Sequence, residues 1–227
     1  MLVAQNNVPI TVMLVNDQEL VRSGLARLIA DQEDMQVVAG ASSGEEALHM
    51  AEEFRPNVIL MEVKMDGMGG MAATQRIVQQ WPEARIIAMS ALDVGLIPTR
   101  MFRAGAVGFI SNCVTVQEML RALRLVHAGE RYISPRIAMR LALNPFHEKG
   151  KSPFDELSER ELQVALMLID CHKVNHISDQ LSLSPKTVYS YRYRIFEKLG
   201  LSSNVELTIL AAKHGLSDVN TSSNPYK

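Results

Sequence analysis

From Ile10 to about Ala128 the chain switches repeatedly between short apolar runs and stretches whose apolar residues recur at helical spacing. The runs are Ile10–Val15, Gln36–Ala39, Asn57–Met61, Arg85–Met89 and Val107–Ile110. Between them, Leu20, Leu25, Leu28 and Ile29, and again Ala47, Met50, Ala51 and Phe54, mark one face of an amphipathic helix. Strands that are apolar on both faces and alternate with helices predict a parallel sheet covered on both sides. Ser43-x-x-Glu46 and Thr115-x-x-Glu118 read as capping boxes heading two of those helices. The pattern predicts a doubly wound α/β domain over residues 8–128.

The periodicity breaks over residues 129–156, where Asn144, Pro145, Gly150 and Pro153 predict a linker with a short helix near Pro135–Leu143. Only helical patterns follow. Ser158-x-x-Glu161 caps a helix with Leu162, Ala165, Leu166 and Ile169 on its apolar face, and a shorter helix carries Val174, Ile177 and Leu181. Ser184-Pro185 starts a third, with Ser at the cap and Pro at the first helical position. Ser203-x-x-Glu206 caps a fourth. Residues 157–217 are therefore expected to form an all-α domain of four helices, and the polar residues 218–227 a frayed tail.

Composition adds bounds. The chain is 47% hydrophobic and 21% charged, with a net charge of −2, so any affinity for nucleic acid has to come from local charge placement. The two cysteines, Cys113 and Cys171, fit no metal or disulfide spacing and are expected as ordinary buried or half-buried thiols in a reducing cytosol. No run is long enough to span a membrane and no signal peptide is legible, which predicts a cytoplasmic protein. Local charge is most telling in the third C-terminal helix. Val188, Tyr191, Ile195 and Leu199 form its buried stripe, and the opposite face carries Lys186, Thr187, Tyr189, Ser190, Arg192, Tyr193, Arg194 and Lys198. Cations there suit phosphates, while the hydroxyls can reach base edges in a major groove. A short helix before it, across a tight turn, predicts a helix-turn-helix whose recognition helix spans Ser184–Leu199.

Leu157-Ser158-Glu159-Arg160-Glu161, Ile177-Ser178-Asp179-Gln180-Leu181, Leu183-Ser184-Pro185-Lys186-Thr187-Val188 and Glu197-Lys198-Leu199 together resemble the DNA-binding domain of NarL/FixJ (LuxR-type) response regulators. Lys173-Val174-Asn175, Tyr191 to Phe196 and Val205-Glu206-Leu207 bring the likeness closer to the GacA/UvrY branch. The resemblance implies binding to double-stranded DNA as a homodimer formed through the last helix, from about Ser203 to His214. By position it implies that Tyr189, Ser190 and Tyr193 face bases. Lys173, Asn175, Lys186, Thr187, Arg192, Arg194 and Lys198 would hold the backbone. Lysine is frequent in the family at the base-facing positions, and tyrosine at 189 and 193 leaves the DNA sequence open.

The first domain resembles a flavodoxin/CheY-like receiver along Val12–Asp17, Val58–Gly70, Ile86–Ala91 and Ala104-Gly105-Ala106-x-Gly108. Receiver chemistry needs an Asp nucleophile, an acid pair for Mg²⁺, a Ser or Thr and a Lys. At the matching positions stand Glu62, Asn16-Asp17, Ser90 and Asn112, with Asp66 in place of the usual loop Pro. One charge of the acid pair is missing, so Mg²⁺ at Asp17 and Glu62 would be weak. The longer Glu62 side chain shifts the acceptor, and Asn112 lacks the cation that would meet phosphoryl charge. These changes raise the expectation of a degenerate receiver in an atypical, phosphorylation-independent regulator with no cofactor. Glu62 imitating the active state, and a small ligand or protein partner as the input, both stay open. The alternative function is an interaction module that titrates a related regulator, by heterodimer formation, or a sensor kinase. An enzyme is not expected, for no nucleophile–base set is legible.

Overall fold

The structure, a computed structural model, describes residues 8–91, 96–143, 152–214 and 216. Tertiary contacts divide the chain into two compact units, with the later boundary between Ile137 and Ala138.

In the first unit, strands β1 (Ile10–Val15), β2 (Met35–Ala41), β3 (Val58–Glu62), β4 (Ile86–Ser90), β5 (Gly108–Ser111) and β6 (Tyr132–Ile133) form one sheet in the order β2-β1-β3-β4-β5-β6. Every pairing is parallel. The intervening helices are α1 (Glu19–Ala30), α2 (Gly44–Phe54), α3 (Gly69–Gln80), α4 (Ile97–Arg103) and α5 (Val116–His127). The doubly wound α/β architecture expected from the apolar runs is present. Alternation along β1 sorts its side chains into two cores. Ile10, Val12 and Leu14 pack in a cluster with Ile29 of α1 and Leu120, Leu123 and Val126 of α5. Met13 and Val15 join a second with Ala47 and Ala51 of α2 and Ala73 and Ile77 of α3.

The sheet extends further than the sequence pattern predicts. Tyr132 and Ile133 lie in the segment expected as linker, yet they pair with Gly108 and Phe109 as the sixth strand. Glu118 of α5 fastens this strand, accepting from Tyr132 Oη at 3.2 Å and Ser134 Oγ at 2.6 Å. The short linker helix forms as α6 (Pro135–Leu143), and a 3-10 turn follows at Pro153–Glu156. Asn144, Pro145 and Gly150 of the expected linker, and the tail 218–227, lie outside the described residues.

The second unit contains α7 (Glu159–Ile169), α8 (Val174–Gln180), α9 (Pro185–Leu199) and α10 (Asn204–Lys213). Its core joins Phe154, Leu162, Ala165 and Leu168 to Ile177, Val188, Ile195, Leu207 and Ala211, all nearly inaccessible. Of the four Ser/Thr-x-x-Glu boxes expected, Ser158 with Glu161 of α7 closes fully and reciprocally. At Ser43, Thr115 and Ser203 the cap hydroxyl accepts from the third helical N–H. There the glutamate turns elsewhere: Glu46 and Glu206 bond the N–H and hydroxyl of Ser42 and Ser202. Glu118 holds β6 instead. Both cysteines are exposed, which corrects the expectation of buried thiols. A short apolar neighbourhood in sequence does not decide burial, and each sits where a strand or helix has just ended. Among the described residues, no helix is long and apolar enough to cross a membrane.

Candidate functional site

Two regions collect the residues singled out by sequence. In the receiver unit, Asn16, Glu62, Ser90 and Asn112 stand at the carboxyl ends of β1, β3, β4 and β5, where an open parallel sheet places its chemistry. Glu62 is only 6% exposed. Its Oε1 accepts from the backbone N–H groups of Val63 at 3.0 Å and Lys64 at 3.3 Å. Its Oε2 accepts from the side-chain amides of Asn112 at 3.2 Å and Asn16 at 3.4 Å. Asn16 is oriented by its own Oδ1, which accepts from Gln18 N–H at 2.8 Å, so its nitrogen faces the glutamate. Burial pushes the Glu62 carboxyl up to about 7, against the pull of the Lys64 N–H, the Asn112 amide and the Val63 N–H. Ser90 is buried beside it in the sheet.

Asp17 and Asp66 stay outside this cluster, on the exposed rim. Partial burial, and then the charge of Asp66, raise the Asp17 carboxyl above its ordinary value. A receiver implies Mg²⁺, and the donor set here does not fit it. Both Glu62 oxygens face N–H groups, and an amide N–H is no ligand for a hard cation. Among the described residues, no group of three or more His, Cys, Asp or Glu side chains is placed to hold a metal ion. The loop after β3 is clamped against this site: Gly70 N–H donates to the Val63 carbonyl at 3.0 Å, and a Cβ at 70 would lie 2.0 Å from the Glu62 carbonyl oxygen. Only glycine fits there.

The second region is α9. Ser184 accepts from Thr187 N–H at 3.1 Å, Pro185 occupies the first position, and Gly200 ends the helix in the left-handed conformation at φ 65°. Val188 and Ile195 are buried, and Tyr191 and Leu199 half-buried, which leaves the opposite face outward. Lys186, Tyr189, Ser190, Tyr193, Arg194 and Lys198 are exposed there, with Thr187 and Arg192 half-exposed. The tight turn before α9 is braced by Arg160, whose guanidinium donates to the Leu181 carbonyl at 2.8 Å, and by the Ser178 hydroxyl on the Leu183 carbonyl. Lys173 caps α8 and Asn175 lies in its first turn, both exposed. An open groove of about 480 Å³ borders Lys173, Asn175, Tyr189, Asn204 and Val205, so these three elements share one surface.

Four of the expected contacts are less free than the sequence suggests. Ser190 Oγ donates to the Lys186 carbonyl at 3.0 Å, which leaves its lone pairs alone for a base. Arg192 and Arg194 lie over the rings of Phe196 and Tyr191, at 5.1 and 5.9 Å. Lys198 reaches Glu161 at 2.6 Å and the Glu156 carbonyl at 3.2 Å. Glu161 is 4% exposed; burial works to raise its carboxyl, but Lys198 and the Ser158 N–H and hydroxyl outweigh it and hold the group below the usual range. Glu161 was legible as a capping residue, but its partner 37 positions away was not.

Residues 12–124 match the family model described as response regulator receiver domain, and residues 155–211 match bacterial regulatory proteins, luxR family. The chain is 51% identical over 209 residues to response regulator GacA of Pseudomonas protegens, covering 92% of this chain and 98% of the relative. It is 45% identical over 213 residues to response regulator UvrY of Escherichia coli K12, covering 93% and 98%. Among solved structures, a LuxR-family two-component response regulator from Aurantimonas sp. SI85-9A1 matches with a TM-score of 0.59 and 32% identity, over 61% of this chain and 99% of that one. RcsB of Salmonella enterica serovar Typhimurium bound to promoter P1flhDC shares the fold at a TM-score of 0.66 and 19% identity, over 92% and 100%.

These relatives overturn the expectation of an atypical, phosphorylation-independent regulator. The kinship with GacA and UvrY runs through the receiver and the helix-turn-helix alike, and both are response regulators. Asn16, Glu62 and Asn112 alter the polar contacts at the end of the sheet. They leave intact the sheet and loops on which the receiver match rests. The chain belongs to the LuxR-family response regulators, and is a DNA-binding response regulator of the GacA/UvrY kind.

Proposed function

We propose that this regulator grips double-stranded DNA through α9 in a major groove and controls transcription in the cytoplasm, acting as a binding protein and not as an enzyme. The outward face of α9 carries the reading: Lys186, Tyr189, Tyr193 and Arg194 are exposed on one helix that a braced turn and a buried stripe hold fixed. Lys173, Asn175, Lys186, Thr187, Arg192 and Arg194 contact phosphates and set the register, while Tyr189, Ser190 and Tyr193 meet base edges. Helix α10 supplies a homodimer contact, supported by Val205 and Ile209, four residues apart and 68% and 52% exposed. A dimer places two copies of α9 on two half-sites. Titration of a related regulator receives no support from these features.

Gel shift of the purified chain across a salt series tests the proposal. A specific complex that weakens steeply with salt is expected. Sequence-specific binding that survives reversal of charge at both Lys186 and Arg194 would count against the assignment of α9.

A further inference from the structure

Two of the large apolar side chains left in solvent stand together on α9. Tyr189 is 55% exposed and Tyr193 is 69% exposed, one turn apart on the same face. The other polar groups of that face are partly committed: the Ser190 hydrogen goes to the Lys186 carbonyl, and the Arg192 and Arg194 guanidiniums lie over Phe196 and Tyr191. The side chains that read purines by two parallel hydrogen bonds are Arg or Lys for guanine and Asn or Gln for adenine, and neither tyrosine position supplies one. What these positions present is ring surface. In the major groove one base alone among the four offers an apolar group, thymine with its C5 methyl.

We infer that Tyr189 and Tyr193 are the specificity-determining residues and that they select thymines by packing their rings on the C5 methyl groups. Residues four apart on a helix are separated by about 5–6 Å. Base pairs rise about 3.4 Å, so the two methyl groups lie about two base pairs apart in each half-site. The inference rests on the placement of α9 in the groove, and it names the chemistry that α9 reads.

The test uses the full chain. Duplexes bound from a random pool are sequenced, and each thymine of the enriched half-site is then replaced singly by deoxyuridine, which removes the methyl and keeps every hydrogen-bonding group. At two thymines about two base pairs apart, affinity falls about fourfold per methyl. Tyr189→Ala abolishes the loss at one of them and Tyr193→Ala at the other. Tyr189→Phe and Tyr193→Phe keep it, because the ring and not the hydroxyl makes the contact. Uniform indifference to deoxyuridine in a complex that remains specific overturns the thymine assignment and leaves α9 in the groove. A methyl effect that persists unchanged in both alanine variants overturns it as well. If both alanine variants select the same sequences as the parent, the placement of these tyrosines against bases falls with it. Circular dichroism of each variant, with α9 exposed at both positions, is expected to match the parent.

Discussion

The two polar regions of this molecule are built in opposite senses. At the end of the sheet, Glu62 points inward and its four N–H donors come from Val63, Lys64, Asn16 and Asn112, so the groups satisfy one another. On α9 the side chains of Tyr189, Tyr193 and Lys186 point outward and are exposed. A buried polar group must find its partners within the fold, whereas a binding surface keeps its groups available and meets them with a ligand. The same residue type changes meaning with this sense. Lys198, on the recognition helix, has the chemistry of a phosphate contact, yet though exposed it is joined to the buried Glu161 and is engaged within the fold.

The sharpest break in the comparison comes from the sheet. Gly70→Ala drives a methyl against the Glu62 carbonyl, so the receiver transition in urea is expected to lose about 3 kcal/mol, with DNA contacts on α9 untouched. A loss under about 0.5 kcal/mol would show that the clamp on Glu62 is loose.

Next comes pH. The Glu62 carboxyl stands at about 7 in the fold and near 4.5 in the unfolded chain. Below 4.5 both states hold the proton and burial costs nothing through ionisation. As pH rises, the unfolded chain ionises first, so stability falls and levels off once the folded group ionises near 7. The fall is on the order of 3 kcal/mol. Carboxyl carbon resonances titrated by NMR, and unfolding midpoints at both ends of that window, check it; Glu62→Gln flattens the slope. A midpoint near the ordinary glutamate value would instead make the four donors dominant over burial.

Lys198 sharpens the boundary between the two senses. Lys198→Met strands a buried carboxylate, and the helix-turn-helix unit is expected to lose about 2 kcal/mol, short of the full cost of breaking a buried pair because the lysine is partly exposed. The slope of log affinity against log salt stays as in the parent. Lys186→Ala does the reverse, with stability within about 0.5 kcal/mol of the parent and a salt slope smaller by about 1. Equal slopes for both variants would erase the distinction between a lysine engaged within the fold and a binding lysine.

The sequence by itself determined the elements and their order. Strands apolar on both faces, helical spacing and serine caps are local signals, written within ten or fifteen residues, and each produced the element expected. Helical periodicity placed the polar residues on the outward face of α9, while the resemblance to a receiver singled out those at the strand ends. Tertiary structure alone decided what those side chains do. Tyr132-Ile133 is too short to announce a strand and forms one only because β5 offers a free edge. Asn16 and Asn112 lie 46 and 50 positions from Glu62, and their pairing with its carboxylate needs the parallel order of β1, β3 and β5. Glu161 meets Lys198 only when α7 packs on α9. Local patterns fix backbone conformation because their interactions close within a turn or two, whereas the partner of a polar side chain is set by packing between distant segments, which no single window of the chain contains.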